Sequence, residues 1–304
     1  MEYLTHLDLS RNRISGAIPT SLAQMKNLTH LDLSGNRING VIPKQLFETN
    51  LHHLFLQHNR LTGTIPRSID SCKDLVEVSV SDNKLNGTIP STLPRKLQVV
   101  RFDRNDFTGL LPVESIRNMS NLVEFHADRN RFEGGINDAF SQTSSLEILN
   151  VAHNKLNGSV PMLSDLKNLT QIILRDNEFD RVQSNSFARD ESLIFLDLSR
   201  QRSTSLVLES HSFAHIPSSA NLIFTGTAIP VISTNAFQGR EHNSLDLSDL
   251  SIHTLAPHAF NGVLFVCKTK ITHSRYSLEQ LALNARTQIF SSHRYAESNT
   301  RFDG

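Results

Sequence analysis

Three histidines, His6, His30 and His53, recur 24 and 23 residues apart, each directly before a leucine. Brought into one column, three imidazoles could ligate a metal or change charge near neutral pH. A solvent-facing position that tolerates any polar residue is the simpler account and is the one expected here. His126-Ala127-Asp128-Arg129-Asn130 groups a base, an acid and a cation, the raw material of proton or phosphoryl transfer. It falls, however, in the same frame as its neighbours' strand residues. No Gly-rich phosphate loop, H-E-x-x-H, C-x-x-C or G-x-S-x-G occurs. Cys72 and Cys267 are the only cysteines, too few for a sulfur-built zinc site or a disulfide framework. We therefore expect no catalytic residue, no metal site and no cofactor.

Charge narrows the partners. Lys plus Arg number 30 and Asp plus Glu number 30, so no global field draws nucleic acid or an anionic membrane. No apolar run approaches the roughly 20 residues that span a bilayer, so direct membrane insertion by this segment is not expected. Met1 to Ser10 is too polar for a secretory signal. Partners must be met by local surface.

The element that positions these residues is a repeat. A leading leucine returns at Leu4, Leu28, Leu51, Leu75, Leu97, Leu122, Leu146, Leu169 and Leu193, in steps of 22 to 25 residues. Such a period marks a solenoid. Each unit carries L-x-x-L-x-L, in which leucines alternate with polar residues and form a short strand with one buried face. One strand cannot shield that face alone, so coils must stack about 4.8 Å apart into a parallel sheet. Asn12, Asn36, Asn59, Asn83, Asn105, Asn130, Asn154 and Asn177 follow the strands, where a turning backbone needs both donors and acceptors. A stacked amide ladder would supply them. The tails Gly40-Val41-Ile42-Pro43 and Gly63-Thr64-Ile65-Pro66 suit a second extended stretch.

On these residues the chain resembles leucine-rich-repeat proteins. The L-x-x-L-x-L-x-x-N-x-L-x-G-x-I-P form is similar to the repeats abundant in plant receptor kinases and receptor-like proteins. The resemblance implies an α/β solenoid, a right-handed superhelix with a concave parallel β-sheet and about twelve coils. After Asn177 the tails change. Ala236-Phe237-Gln238-Gly239 and Ala259-Phe260-Asn261-Gly262 resemble the animal-type repeats of Toll-like and hormone-receptor ectodomains. Gln201 takes the Asn position, then Thr227, Leu250 and Thr269, and Arg200 to Ser219 reads as a longer excursion. The expected domains are 1–190, regular repeats; 191–275, irregular repeats; and 276–304, a capping helix from Ser277 with a loose tail. No matching lid precedes Leu4, and a fragment of a longer protein or an incomplete gene model is expected. Cys72 falls where the return segment packs, as a buried thiol. Sequons at Asn27, Asn86, Asn118, Asn157 and Asn168 are no more than composition predicts by chance.

Function then falls to the residues between the leucines, which have no core duty and ride on a rigid sheet. Coils three to six gather His53, Phe55, His58, Arg101, Asp103, Arg104, His126, Asp128 and Arg129, a mixture of aromatic and Arg residues of the kind that anchors interfaces. The reading is a non-enzymatic recognition module for a protein or peptide ligand, without nucleic acid. The resemblance implies the ligand-binding region of a receptor-like protein or of a secreted inhibitor, with a co-receptor as a further partner. The rival is an intracellular scaffold or adaptor in signalling or ubiquitin ligation. Repeat type favours the cell surface or exterior; the polar start favours the cytoplasm.

Overall fold

The computed structural model describes residues 3–136, 138–187, 192–214, 216, 217, 219–238, 245–247 and 250–260. Two parallel sheets, each eleven-stranded, run the length of these residues. The first takes one strand from each coil's L-x-L core, from His6–Asp8 through His53–Phe55, Val99–Arg101 and Glu124–His126 to Leu245–Asp246. The second takes the segment after each Asn, from Ser15–Ala17 through Arg37–Gly40, Arg60–Gly63 and Lys84–Gly87 to Thr254–Leu255. The return path is short: 3-10 turns at Thr20–Gln24, Lys44–Glu48 and Arg67–Ser71, and one helical turn at Val113–Arg117. Each follows an Ile-Pro or Leu-Pro, since proline sets φ for the first turn and needs no amide partner there.

The two sheets differ in register. In the first, equivalent residues of successive coils pair directly: His6 with His30, His30 with His53, His53 with Glu77. In the second the strands slip by two residues, so Ser15 lies beside Arg37, Asn39 beside Arg60 and Thr62 beside Lys84. Between the sheets and the return path runs a continuous core in which Leu28, Leu31, Leu51, Leu54, Leu75 and Leu97 are wholly buried. Full burial of one such side chain is worth about 1.5–3 kcal/mol. Gly87 shows why the tail needs glycine: its φ is +71°, and a Cβ there would meet Thr64 Cγ2 at 2.8 Å. Cys72 is 2% exposed in this core, and burial pushes its thiol up to about 11.

The Asn side chains close the turns. Asn83 Nδ2 donates to Val80 O at 3.1 Å and Ser81 O at 3.2 Å in its own coil, and to Leu56 O at 3.0 Å in the coil before. Its Oδ1 accepts the Leu61 amide at 2.9 Å. Asn36, Asn59, Asn105, Asn130, Asn154 and Asn177 repeat this set. Asn12, in the first coil, is exposed and, among the described residues, donates only to Leu9 O and Ser10 O of its own coil.

Past Asn177 the ladder is handed on. Gln201 Nε2 donates to Leu174 O at 3.0 Å and its Oε1 accepts the Phe179 amide at 3.2 Å. Thr227 Oγ1 donates to Leu198 O at 2.9 Å and accepts the Gln201 amide at 3.1 Å. At Leu250 only backbone remains, its carbonyl taking the Ile229 amide at 2.8 Å. Phenylalanines take up the stacking: Phe187 on Phe213 at 5.5 Å, Phe213 on Phe237 at 5.0 Å, Phe237 on Phe260 at 5.4 Å. The long excursion is drawn back to the sheet, with Val182 paired to Leu208. The twelfth coil at Leu264-Phe265-Val266, Cys267, Thr269 and the capping helix lie outside the described residues.

Replacing Asn83 with Ala removes a group that satisfies three carbonyls and an amide, and is expected to cost about 1–3 kcal/mol. Asn12→Ala, at an exposed coil with no inter-coil bond, is expected to cost well under half as much. Urea unfolding of both variants checks the difference; equal midpoints would mean that the inter-coil bonds carry no stability.

Candidate functional site

The first sheet's outward columns place the candidate residues. Because equivalent residues pair in register, His6 and His30 stack with ring centroids 5.2 Å apart, and His30 and His53 4.5 Å apart. Phe55, one column over, lies 5.6 Å from His30 and 6.2 Å from His53, completing a strip of four rings. Burial first, then repulsion from His53 and His6, holds His30 below the ordinary histidine range. Among the described residues no three His, Cys, Asp or Glu are grouped to hold a metal.

The histidine column continues into charge. Glu77 sits beside His53, with Oε2 3.7 Å from Nδ1. Arg101, one column over, reaches sideways to both flanking carboxylates: Nη1 to Glu77 Oε1 and Nη2 to Glu124 Oε2, each at 2.6 Å. His126 Nε2 lies 3.3 Å from the same Glu124 oxygen. Arg101 is thus engaged on both sides by the chain itself and has little left to offer an anion. Its partners Glu77 and Glu124 were legible in principle, since following the His6, His30, His53 column further along the chain reaches both.

Asp103 and Asp128 occupy the next column, facing each other across one coil step. Ser81 Oγ donates to Asp103 Oδ1 at 2.5 Å, and Asn150 Nδ2 donates to Asp128 Oδ1 at 2.9 Å. Burial, then the negative charge of Asp103, pushes the Asp128 carboxyl above its usual range. Gln57 Oε1 and Arg175 Nε, in this same column, are buried without a hydrogen-bond partner. Nothing in the sequence sets these two apart from their neighbours.

His58, Arg104 and Arg129 lie beyond the strand ends, on the turn immediately before the ladder Asn. Their φ values are +57°, +53° and +53°, the same left-handed state that Gly35 takes at +64°. These side chains form a rim beside the sheet. Along the rim His58 is bonded to Asp82 at 2.8 Å and His153 to Asp176 at 2.6 Å. Between those two pairs stand the exposed guanidinium groups of Arg104 and Arg129. Arg129 has only a long contact, 3.9 Å, to Asp128. The arrangement can bind and orient a ligand: a ring strip at one end, an ion-paired Glu-Arg-Glu belt of net charge −1 in the middle and two cations on the rim beside it.

Two outcomes follow from this geometry. A non-glycine residue at φ near +53° carries a cost on the order of 1 kcal/mol, so Arg104→Gly is expected to raise stability by up to about 0.5 kcal/mol after its added chain entropy. A lower unfolding midpoint would count against strain at the rim. For Asp128, the folded state binds its proton more tightly than the unfolded chain does. Stability therefore falls as pH rises above 3.8, the unfolded value, through the folded one. Asp128→Asn keeps an acceptor for Asn150 and removes the repulsion with Asp103. It is expected to be more stable than the parent chain near pH 7 and equal to it near pH 3, read by chemical unfolding at both; no gain near pH 7 would contradict the buried charge.

Models of the leucine-rich repeat match residues 1–38 and 50–72. Receptor-like protein 18 of Arabidopsis thaliana is 35% identical over 84 residues, which is 27% of this chain and 10% of that protein. Among solved structures, a TDR receptor superposes with a TM-score of 0.67 at 24% identity, over 84% of this chain and 47% of that one. The Arabidopsis receptor kinase HAESA, solved with the peptide hormone IDA and the co-receptor SERK1, gives 0.61 at 24% identity, over 86% of this chain and 48% of that one. The chain spans about half the length of these solved receptors and a short stretch of the curated relative. Stacked coils and the two matched stretches give the chain a leucine-rich-repeat solenoid fold, with regular coils similar to those of the plant receptor-like relative.

Proposed function

We propose that the chain is the ligand-binding part of a receptor-like protein and that it holds an extended protein or peptide segment along its first sheet, the concave face. The observation that carries this reading is the unbroken register of that sheet. Eleven strands make ten steps of about 4.8 Å, a ribbon of about 48 Å, room for roughly 14 residues of extended chain. Chemistry changes along it in blocks, from rings to paired charges to rim cations, so a ligand laid along the axis is read residue by residue. The co-receptor solved with HAESA supports a second partner.

The rim and the ring strip are the places to test. Arg101 is a poor probe, because removing it leaves Glu77 and Glu124 facing each other. A displayed peptide library panned on the intact chain is expected to yield binders whose affinity falls at least tenfold, about 1.4 kcal/mol, when Phe55→Ser and Arg129→Glu are combined. Circular dichroism should stay unchanged. Binders indifferent to that pair, and lost instead on substitution of second-sheet residues, would overturn the concave-face reading.

A further inference from the structure

The second sheet has its own outward face, and its first four coils carry a pattern that the concave reading does not use. The residue after each ladder Asn is Arg13, Arg37, Arg60 and Lys84 in turn. All four are exposed, and none joins an ion pair among the described residues. Two residues on stand Ser15, Asn39, Thr62 and Asn86, also exposed; in the second to fourth coils cation and polar residue lie on one strand and so share a face, while Arg13 just precedes its strand. The two-residue slip sets these hydroxyls and amides beside the next coil's cation: Ser15 by Arg37, Asn39 by Arg60, Thr62 by Lys84. No acidic residue occupies any of these eight positions. At the fifth coil Asp106 takes the cation's place and pairs with Arg131 at 2.5 Å, closing the row.

The geometry points to a binding site for a linear acidic polysaccharide that bears one carboxylate per sugar. A strand separation of about 4.8 Å with two residues of slip, about 6.6 Å, gives diagonal steps of about 8 Å between cations. An extended uronic-acid chain turns successive carboxylates to alternate sides, so every second one faces the row, while its ring hydroxyls meet the serine, threonine and asparagine side chains between. A nucleic acid fits less well. Its phosphates are denser, one per about 3.4 Å of each duplex strand, and no aromatic ring stands among these eight positions to stack a base. Though net charge is zero over the chain, a local row of four cations still raises counter-ion concentration at this face.

Calorimetry with short polygalacturonate oligomers in low salt tests the assignment, on intact chain made in a host that adds no sugar to Asn86. Arg37→Gln with Arg60→Gln is expected to lower affinity at least tenfold, and Arg13→Gln with Lys84→Gln to do likewise should the first pair fail to fold. Arg104→Glu, on the rim of the first sheet, is expected to leave binding unchanged, which separates this site from the concave one. Fully methyl-esterified oligomers, which lack the charge, are expected not to bind, and added salt to weaken the acidic ones. Undiminished affinity in a folded double variant, equal binding of the methyl ester, or tighter binding of single-stranded DNA of equal charge would each overturn the proposal.

Discussion

One side-chain amide per coil holds this molecule in its shape. The ladder Asn donates to two carbonyls of its own turn and one of the coil before, and accepts an amide from that same coil. It therefore sets the turn and the coil spacing at once. Buried peptide groups cannot go unpaired without cost, so each coil must seat where its neighbour's amide can reach. The turn is tight enough to force the preceding residue into the left-handed region. Arg, His and Asp accept that conformation because the surrounding bonds over-determine it.

When asparagine gives out, the requirement does not. Gln201 reaches the same carbonyl and amide with a longer side chain, and Thr227 supplies a single hydroxyl for a reduced set. Alongside them the stacking of Phe187, Phe213, Phe237 and Phe260 packs successive coils together, beside backbone bonds such as Phe213 N to Ala236 O at 2.9 Å and Phe237 N to Ala259 O at 3.0 Å. Aromatic stacking is less directional than an amide with four partners, which is consistent with the shorter, two-residue strands Val207–Leu208 and Val231–Ile232 in these coils.

Register gives the two faces their different chemistry. On the first sheet equivalent residues touch, so a repeated histidine becomes a stack, and glutamates on either side of Arg101's coil close on it. On the second sheet the two-residue slip separates equivalent residues, so a repeated cation becomes a spaced row with polar groups between. The first arrangement neutralises much of its own charge; the second leaves it available. Zero net charge over the chain hides both.

Periodicity alone was enough to read the solenoid, the strands, the buried leucines, the position of the amide ladder and the second extended stretch, because each depends on residue type recurring at a fixed place in a local unit. Even the substitution of Gln201 and Thr227 into that place was legible. The candidate site was less so. His53, Phe55 and the rim arginines could be named from their columns, yet the sequence is silent on whether a charge is free or spoken for. Arg101 stands 24 residues from Glu77 and 23 from Glu124, and only coil stacking makes them neighbours. Likewise Asp103 and Asp128 repel across a step that exists only once the coils are assembled, and the slip of the second sheet is a relation between coils. Local pattern determines what each coil is; side-chain contacts between coils arise from their relative placement, which no single repeat contains.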